Sequence, residues 1–337
     1  MQEESHKGDK KEERVFRQMG NEVYRRSVLK FICFLSVVIL LSSGCQGSTV
    51  TSTAAAQKAV EYEFKTVPRP AYGVLGGEWT VFALSRLGVQ LPEGYEEIYM
   101  TSLKQTVKET RGKLSEDKYT EYSRVCLALA ALGEASTVEG FDLLENLEDF
   151  DRVVSQGLNG AVYALLALDA HKNQSSVKQA YVDYIVEQQN SQGGFSFQGK
   201  ESSSEADMTA MVLQCLAPYK DQEKVQNVLE KGVELLSLLQ SEQGGYESGG
   251  EDSSESISQA VIALCTLGID CNGEDFRKEG KGLLDRLLEY EQKDGSFSHT
   301  GNGEGDLMAT DQALCALAAY ERWQDKKTAL YDMSDVK

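Results

Sequence analysis

Proline is scarce, with four in 337 residues against 41% hydrophobic residues, so the chain is not disordered and has enough apolar material for a sizeable core. Close cysteine pairs are missing as well. Five cysteines follow Cys45, namely Cys126, Cys215, Cys265, Cys271 and Cys315. An odd count with no C-x-x-C spacing excludes a disulfide framework. Cys271, just past an expected helix end, is the one open to pairing, and the other four sit in apolar helical stretches as small hydrophobes. No strand-type alternation of apolar and polar residues competes with a helical period. The apolar run FICFLSVVILL (31–41) is eleven residues, short of the about 20 that span a bilayer.

That run does carry a message. Arg25, Arg26 and Lys30 precede it, and LSSGC follows it, ending at Cys45. A basic region, a short apolar region and small residues before a cut site describe an export signal over 1–44, with Met19 an alternative start. The chain then divides into a lipidated Cys45 with a polar tether over 45–57, a folded body over 58–325 and a tail over 326–337. Beyond residue 44 stand 26 Lys+Arg against 47 Asp+Glu, a net charge of −21. So acidic a surface argues against nucleic acid or anionic lipid as a partner.

Two patterns recur. The stretches QNSQGGFSF (189–197), QSEQGGYES (240–248) and QKDGSFSH (292–299) place a Gln ahead of a glycine and an aromatic, at Gln-to-Gln steps of 51 and 52 residues. Between them an [AV]-L-x-x-L core appears six times, at FALSRLG, LALAALG, YALLALD, MVLQCLA, IALCTLG and QALCALA. These copies are rich in strong helix formers and apolar on every face, which is the pattern of a buried helix. Amphipathic segments alternate with them: 58–65, 95–109, 141–147, 181–189, 225–240 and 282–292. An open stack would leave the apolar inner helices wet on one side. The expectation is therefore an all-α (α/α)6 toroid of six inner and six outer helices. The Gln-Gly-aromatic loops are expected to be structural, with glycine reversing the chain, the ring sealing a seam and Gln bonding backbone groups left free at helix ends.

These loops resemble the QW motifs of squalene and hopene cyclases and the repeats of protein prenyltransferase β subunits. The stretches KTVPRPAYGVLGGEWTVFALSRLGV, YTEYSRVCLALAALG, VVSQGLNGAVYALLALD, EADMTAMVLQCLAPY, SESISQAVIALCTLGID and LMATDQALCALAAY extend the likeness over about residues 55–322. They are most similar to Gram-positive surface lipoproteins whose toroid resembles the α domain of transcobalamin and intrinsic factor. The resemblance implies the toroid fold. It also implies two activities to look for, cyclase or prenyltransferase chemistry and corrinoid capture with a separate companion domain.

The chemistry of the first is absent from the sequence. There is no x-D-x-D-D acid motif, no DDxxD for a metal-bound diphosphate, no C-G-E-Q thioester and no G-x-S-x-G. His171 and His299 share no helical register with a cysteine, so a zinc set of Asp, Cys and His is not formed. No cofactor or metal is expected.

A polar column is present instead. Five residues before each [AV]-L stand Glu78, Ser123, Asn159, Asp207, Ser258 and Met308, followed by Trp79, Arg124, Gly160, Met208, Gln259 and Ala309. Helix capping accounts for such residues at N-termini. The sharper reading is a ligand-binding mouth lined by Glu78, Trp79, Tyr122, Arg124, Asn159, Tyr163, Asp207 and Gln259. Arg124 is the hardest to assign to capping, unless it pairs with Glu121 or Glu78. The functional expectation is a non-catalytic surface lipoprotein that binds a small molecule, a glycan or a surface protein, held to the bacterial membrane by its lipid. A cyclase-type enzyme and corrinoid capture are the alternatives.

Overall fold

The computed structural model describes residues 47–337. The export signal, Met19 and Cys45 lie outside the described residues. In chain order the described helices are α1 (Gly47–Thr66), α2 (Glu78–Leu87), α3 (Tyr95–Thr110), α4 (Tyr119–Leu132), α5 (Phe150–Val154) and α6 (Leu158–Ala170). They continue as α7 (Val177–Glu187), α8 (Ala206–Leu216), α9 (Glu223–Leu239), α10 (Ser254–Leu267), α11 (Leu283–Leu287) and α12 (Leu307–Gln324). Even-numbered helices are the six apolar copies, and they pack side by side in sequence, α12 closing back on α2. Odd-numbered helices lie outside them. The chain is an (α/α)6 toroid.

Local chemistry sets the helix ends. Gly88, Gly133 and Gly268 end α2, α4 and α10 in the left-handed region, returning their N–H groups to the last turn. The inner faces are Ala- and Leu-rich because neighbouring axes come close.

Two outer positions depart from expectation. Over 141–147 there is no α-helix but a 3-10 segment, Leu143–Glu148, followed by the five-residue α5. Asp142 accepts from the Leu144 N–H and Asp149 from the Arg152 N–H, so two caps start two short turns where one helix was expected. Over 282–292 the five-residue α11 passes into a 3-10 turn, Leu288–Tyr290, and Glu291 is already extended. Three two-stranded hairpins also form, pairing β1 (Thr137–Val138) with β2 (Phe141–Asp142), β3 (Glu247–Ser248) with β4 (Glu251–Asp252) and β5 (Phe297–Ser298) with β6 (Gly305–Asp306). The tether expected over 45–57 is helical from Gly47, with Ser52, Ala55 and Ala56 buried. Small residues there let α1 lie close against α12.

The repeated loops are structural. Phe195, Tyr246 and Phe297 are buried. The Phe195 N–H donates to Thr209 Oγ1 (3.1 Å) and the Phe297 N–H to Thr310 Oγ1 (2.9 Å), which ties each loop to the helix it feeds. Gln189 bonds inside its own loop, to the Gly193 carbonyl (2.9 Å), and Gln240 donates to the carbonyls of Gly244 (3.1 Å) and Phe276 (3.1 Å), whereas Gln292 reaches the preceding helical turn as expected, at the Tyr290 carbonyl (3.1 Å). Gly295 (φ 90°) lets the third loop meet α1, where a Cβ would lie 2.4 Å from the Lys58 carbonyl oxygen.

The last residues form a strap across the inner-helix C-terminal end. Arg86, 2% exposed, donates to the carbonyls of Leu330 (2.7 Å), Ala329 (3.0 Å) and Asp332 (2.9 Å) and to Asp335 (3.0 Å). Arg322 donates to the Arg86 carbonyl (3.1 Å), the Thr328 carbonyl (2.8 Å) and Asp335. Tyr331 stacks on Phe82 with ring centroids 5.2 Å apart. Residues 326–337 thus seal the end opposite the inner-helix N-termini.

Candidate functional site

All six inner helices begin at one end of the ring, because each follows an outer helix that runs the other way. The polar column therefore forms a mouth. Most of its members do not cap: α2, α4, α6 and α8 have no side-chain cap bond. The caps described are Ser253 on α10 and Asp306 on α12, outside the column. Glu78 and Asp207 still lie in the first turns, where the helix dipole favours an anion.

Arg124 makes both ion pairs open to it, Nε to Glu78 Oε2 (2.9 Å) and Nη2 to Glu121 Oε2 (2.6 Å). Glu78 is 1% exposed and also accepts the Gly73 N–H (3.0 Å), so it anchors the 67–77 loop. Burial pushes its carboxyl above the usual range, with Arg124 pulling the other way. Tyr122 is not part of the mouth. It is buried, accepts the Leu114 N–H (3.0 Å) and donates to the Ser115 carbonyl (3.3 Å), holding the loop ahead of α4. Sequence reasoning missed this because the same helical face serves the loop and the lumen.

Tyr163 brings the remaining residues together. Its ring lies 5.7 Å from Trp79 across the ring, and the charges of Asp207 and of Cys315, if ionised, are felt at its hydroxyl, which burial holds well above the usual tyrosine range. Trp79 packs edge-on against Phe82 (centroids 5.8 Å), which stacks on Tyr331 of the strap, so the strap lies beneath the mouth. Asp207 is half-buried and raised by that burial, opposed by the Met208 N–H (2.8 Å). Asn159 Oδ1 and Ser258 Oγ are buried with no partner. Gln259 is buried in an amide chain, accepting from Gln214 Nε2 (2.8 Å) and donating to Gln312 Oε1 (2.6 Å).

A second polar group escaped sequence reasoning. Glu63 on α1, Thr80 on α2 and Asp311 on α12 meet where the ring closes, and Thr80 Oγ1 donates to Asp311 Oδ1 (2.6 Å). Both Glu63 oxygens are buried without a well-aligned partner. Burial and the neighbouring Asp311 push Glu63 up to about 9, and burial pushes Asp311 up to about 7. The signal was available. Two residues before each [AV] the other copies have Val81, Cys126, Val162, Ala210 and Val261, so Asp311 is the one acid in an apolar column. Of the cysteines, Cys265 is hydrogen-bonded to Cys271 and all five are buried free thiols.

On the outer wall, a recess of about 560 Å³ lies between α9 and the turn after α10, lined by Leu229, Val233, Leu238, Leu267, Ile269 and Phe276. It is remote from the mouth.

Known proteins share this architecture. A 139-residue stretch is 27% identical to drimenyl diphosphate synthase from Streptomyces showdoensis, covering 40% of this chain but 25% of that protein. The type II terpene cyclase MstE from Scytonema superposes with a TM-score of 0.54 at 14% identity, over 81% of this chain and 99% of that one. The unsaturated glucuronyl hydrolase from Bacillus sp. GL1 superposes with a TM-score of 0.57 at 12% identity, over 85% and 99%. Both structures share the fold with this chain. The model of the prenyltransferase alpha-alpha toroid domain matches residues 147–254 and 221–334, more than half of the chain. The six-fold helical ring, its Gln-Gly-aromatic loops and this match together make the chain a member of the prenyltransferase alpha-alpha toroid family.

Proposed function

We propose that this toroid is a non-catalytic binding protein, carried on the outer face of a bacterial membrane by a lipid on Cys45. It takes a small polar ligand, such as a glycan end, at the inner-helix N-terminal mouth. The observation that carries the reading is the convergence of Trp79, Tyr163 and Asp207 above a strap-sealed floor, beside Asn159, whose Oδ1 is buried without a partner. An aromatic platform with a few fixed polar groups suits a hydroxyl-rich ligand. An unpaired buried oxygen is costly until something donates to it.

A thermal-shift screen of residues 46–337 tests this, with envelope oligosaccharides, corrinoids, polyprenyl diphosphates with Mg²⁺, and divalent metals. A ligand at about 100 times its Kd adds roughly 2.7 kcal/mol. A shift abolished by Trp79→Ala and Asp207→Asn supports the mouth, and no shift from any class removes the small-molecule reading in favour of a protein partner.

The acid pair of Glu63 and Asp311 favours a second reading, an enzyme of the cyclase type, because a carboxyl kept protonated near neutral pH can act as a proton donor. Its position between the inner and outer layers weighs against that role. Conversion of a polyprenyl diphosphate, lost in Asp311→Asn, would establish it.

A further inference from the structure

The two ends of the ring differ, and α1 relates one of them to the anchor. Glu63 on α1 lies beside Asp311 on α12, and ten residues earlier Thr53 bonds Glu321, ten residues later on α12. The two helices are therefore antiparallel, and α1 begins at the strap end. Gly47 comes six residues before Thr53, about 9 Å further in that direction at 1.5 Å per residue. Cys45 is two residues earlier still, at most about 7 Å of chain.

One recess at the strap end has only basic groups among its charged lining residues. It has a volume of about 370 Å³ and is lined by Lys220, Lys326, Lys327, Trp323 and Leu330, with Cys265 in its wall. Lys327 pairs with Asp325 (2.8 Å), and Asp335 is held by Arg86 and Arg322. Among the described residues Lys220 and Lys326 have no carboxylate partner. With a Debye length of about 8 Å, the acidic surface elsewhere is screened from this recess. Lysines beside a half-buried indole suit a membrane interface, the ammonium groups meeting phosphate and the ring sitting among headgroups.

We infer that the strap end of the toroid faces the membrane and that the recess of Lys220, Lys326, Lys327 and Trp323 seats the phosphate of a phospholipid headgroup, leaving the mouth turned outward. The orientation rests on the lipid anchor proposed above, whereas the recess stands on its own lining. The net negative charge of the chain does not keep anionic lipid from this patch, since the binding is local.

The two tryptophans make the test direct. Trp79 marks the mouth, and its counterpart on α12, Ala309, is 14 residues before Trp323, so the two indoles differ by roughly 20 Å along the axis. The full acylated chain, as Trp79→Phe and as Trp323→Phe, is placed on phosphatidylcholine–phosphatidylglycerol vesicles with a headgroup spin label. Quenching of Trp323 at least about twice that of Trp79 is expected from that separation. Equal quenching, or stronger quenching of Trp79, overturns the orientation. Charge reversal at all three lysines (K220E, K326E, K327E) should lower the quenching of Trp323 while the chain stays attached, and unchanged quenching overturns the headgroup site. A thermal shift with inorganic phosphate alone, lost in the same variant, would assign the recess to free phosphate and overturn the lipid. If the mass of the chain shows no acyl group on Cys45, the anchor itself fails. Flotation of the unacylated chain with the same vesicles, abolished by the charge reversal, then decides the recess separately.

Discussion

The junctions between successive repeats and the seam where the ring closes solve the same packing problem with different chemistry. At the junctions feeding α8 and α12, a threonine hydroxyl receives the N–H of a buried aromatic loop residue. At the seam the corresponding threonine, Thr80, instead donates to a buried carboxyl, and two buried arginines hold the strap in place at its far end. The difference teaches that copies joined in sequence can bury an apolar face cheaply, because the connecting loop supplies the polar partner. The first and last copies have no connecting loop between them, and long-range polar contacts take its place.

Five substitutions would break or sharpen that contrast. The largest effect is expected from Arg86→Ala, which strands the carbonyls of Ala329, Leu330 and Asp332. Removing one partner of a buried charged network costs about 3 kcal/mol or more. That lowers Tm by about 6 °C or more in a domain of this size, measurable by calorimetry. Next, Thr310→Val leaves the buried Phe297 N–H without an acceptor, a loss of about 1–3 kcal/mol. Thr209→Val should match it at the Phe195 loop, and unequal losses in chemical denaturation would mean that the repeats are not equivalent.

Glu63→Gln should act in the opposite direction, and only at higher pH. A carboxyl whose folded pKa is raised binds its proton more tightly when folded, so its contribution is fully present below the unfolded value near 4.5. It is lost as pH rises through about 7 for Asp311 and toward about 9 for Glu63. The native chain should therefore lose stability across that window, and the Gln variant should gain on the order of 1 kcal/mol at its upper end while matching the native chain near pH 5. Asp335 has the reverse sign. Although burial opposes it, its bonds to Arg322 and Arg86 hold its carboxyl well below the usual range, so its contribution to the strap is lost as pH falls. A Tm profile that is flat on the alkaline side would refute the polar seam. The smallest effect belongs to Tyr122→Phe, about 0.5–1.5 kcal/mol for its lost hydroxyl bonds. Affinity of any mouth ligand should be unchanged, and a weaker ligand would restore Tyr122 to the site.

Helix ends and outer turns show where sequence reading stopped. The stretch FDLLENLEDF has the period of a helix, yet Asp142 and Asp149 each start a new turn, a competition between side chain and backbone that periodicity does not weigh. Arg124 was rightly suspected of pairing with Glu78 or Glu121, since an arginine entering a buried helix needs a partner. Tyr122 was misplaced, and the amide chain through Gln214 and Gln312 was missed, because which helix faces which across a ring is not a local property.

By itself the sequence determined the six inner helices, the order of the hairpins and the need for closure, because a helix apolar on every face has only one way to escape water. It also determined the reversing loops, whose glycines and aromatics recur at a fixed period. Only the tertiary structure decided what closes the ring. Arg86 meets Asp335, and Glu63 and Thr80 meet Asp311, across more than two hundred residues of chain. Pairings at that separation carry no periodicity, and they exist only once the six hairpins have brought the first and last copies together.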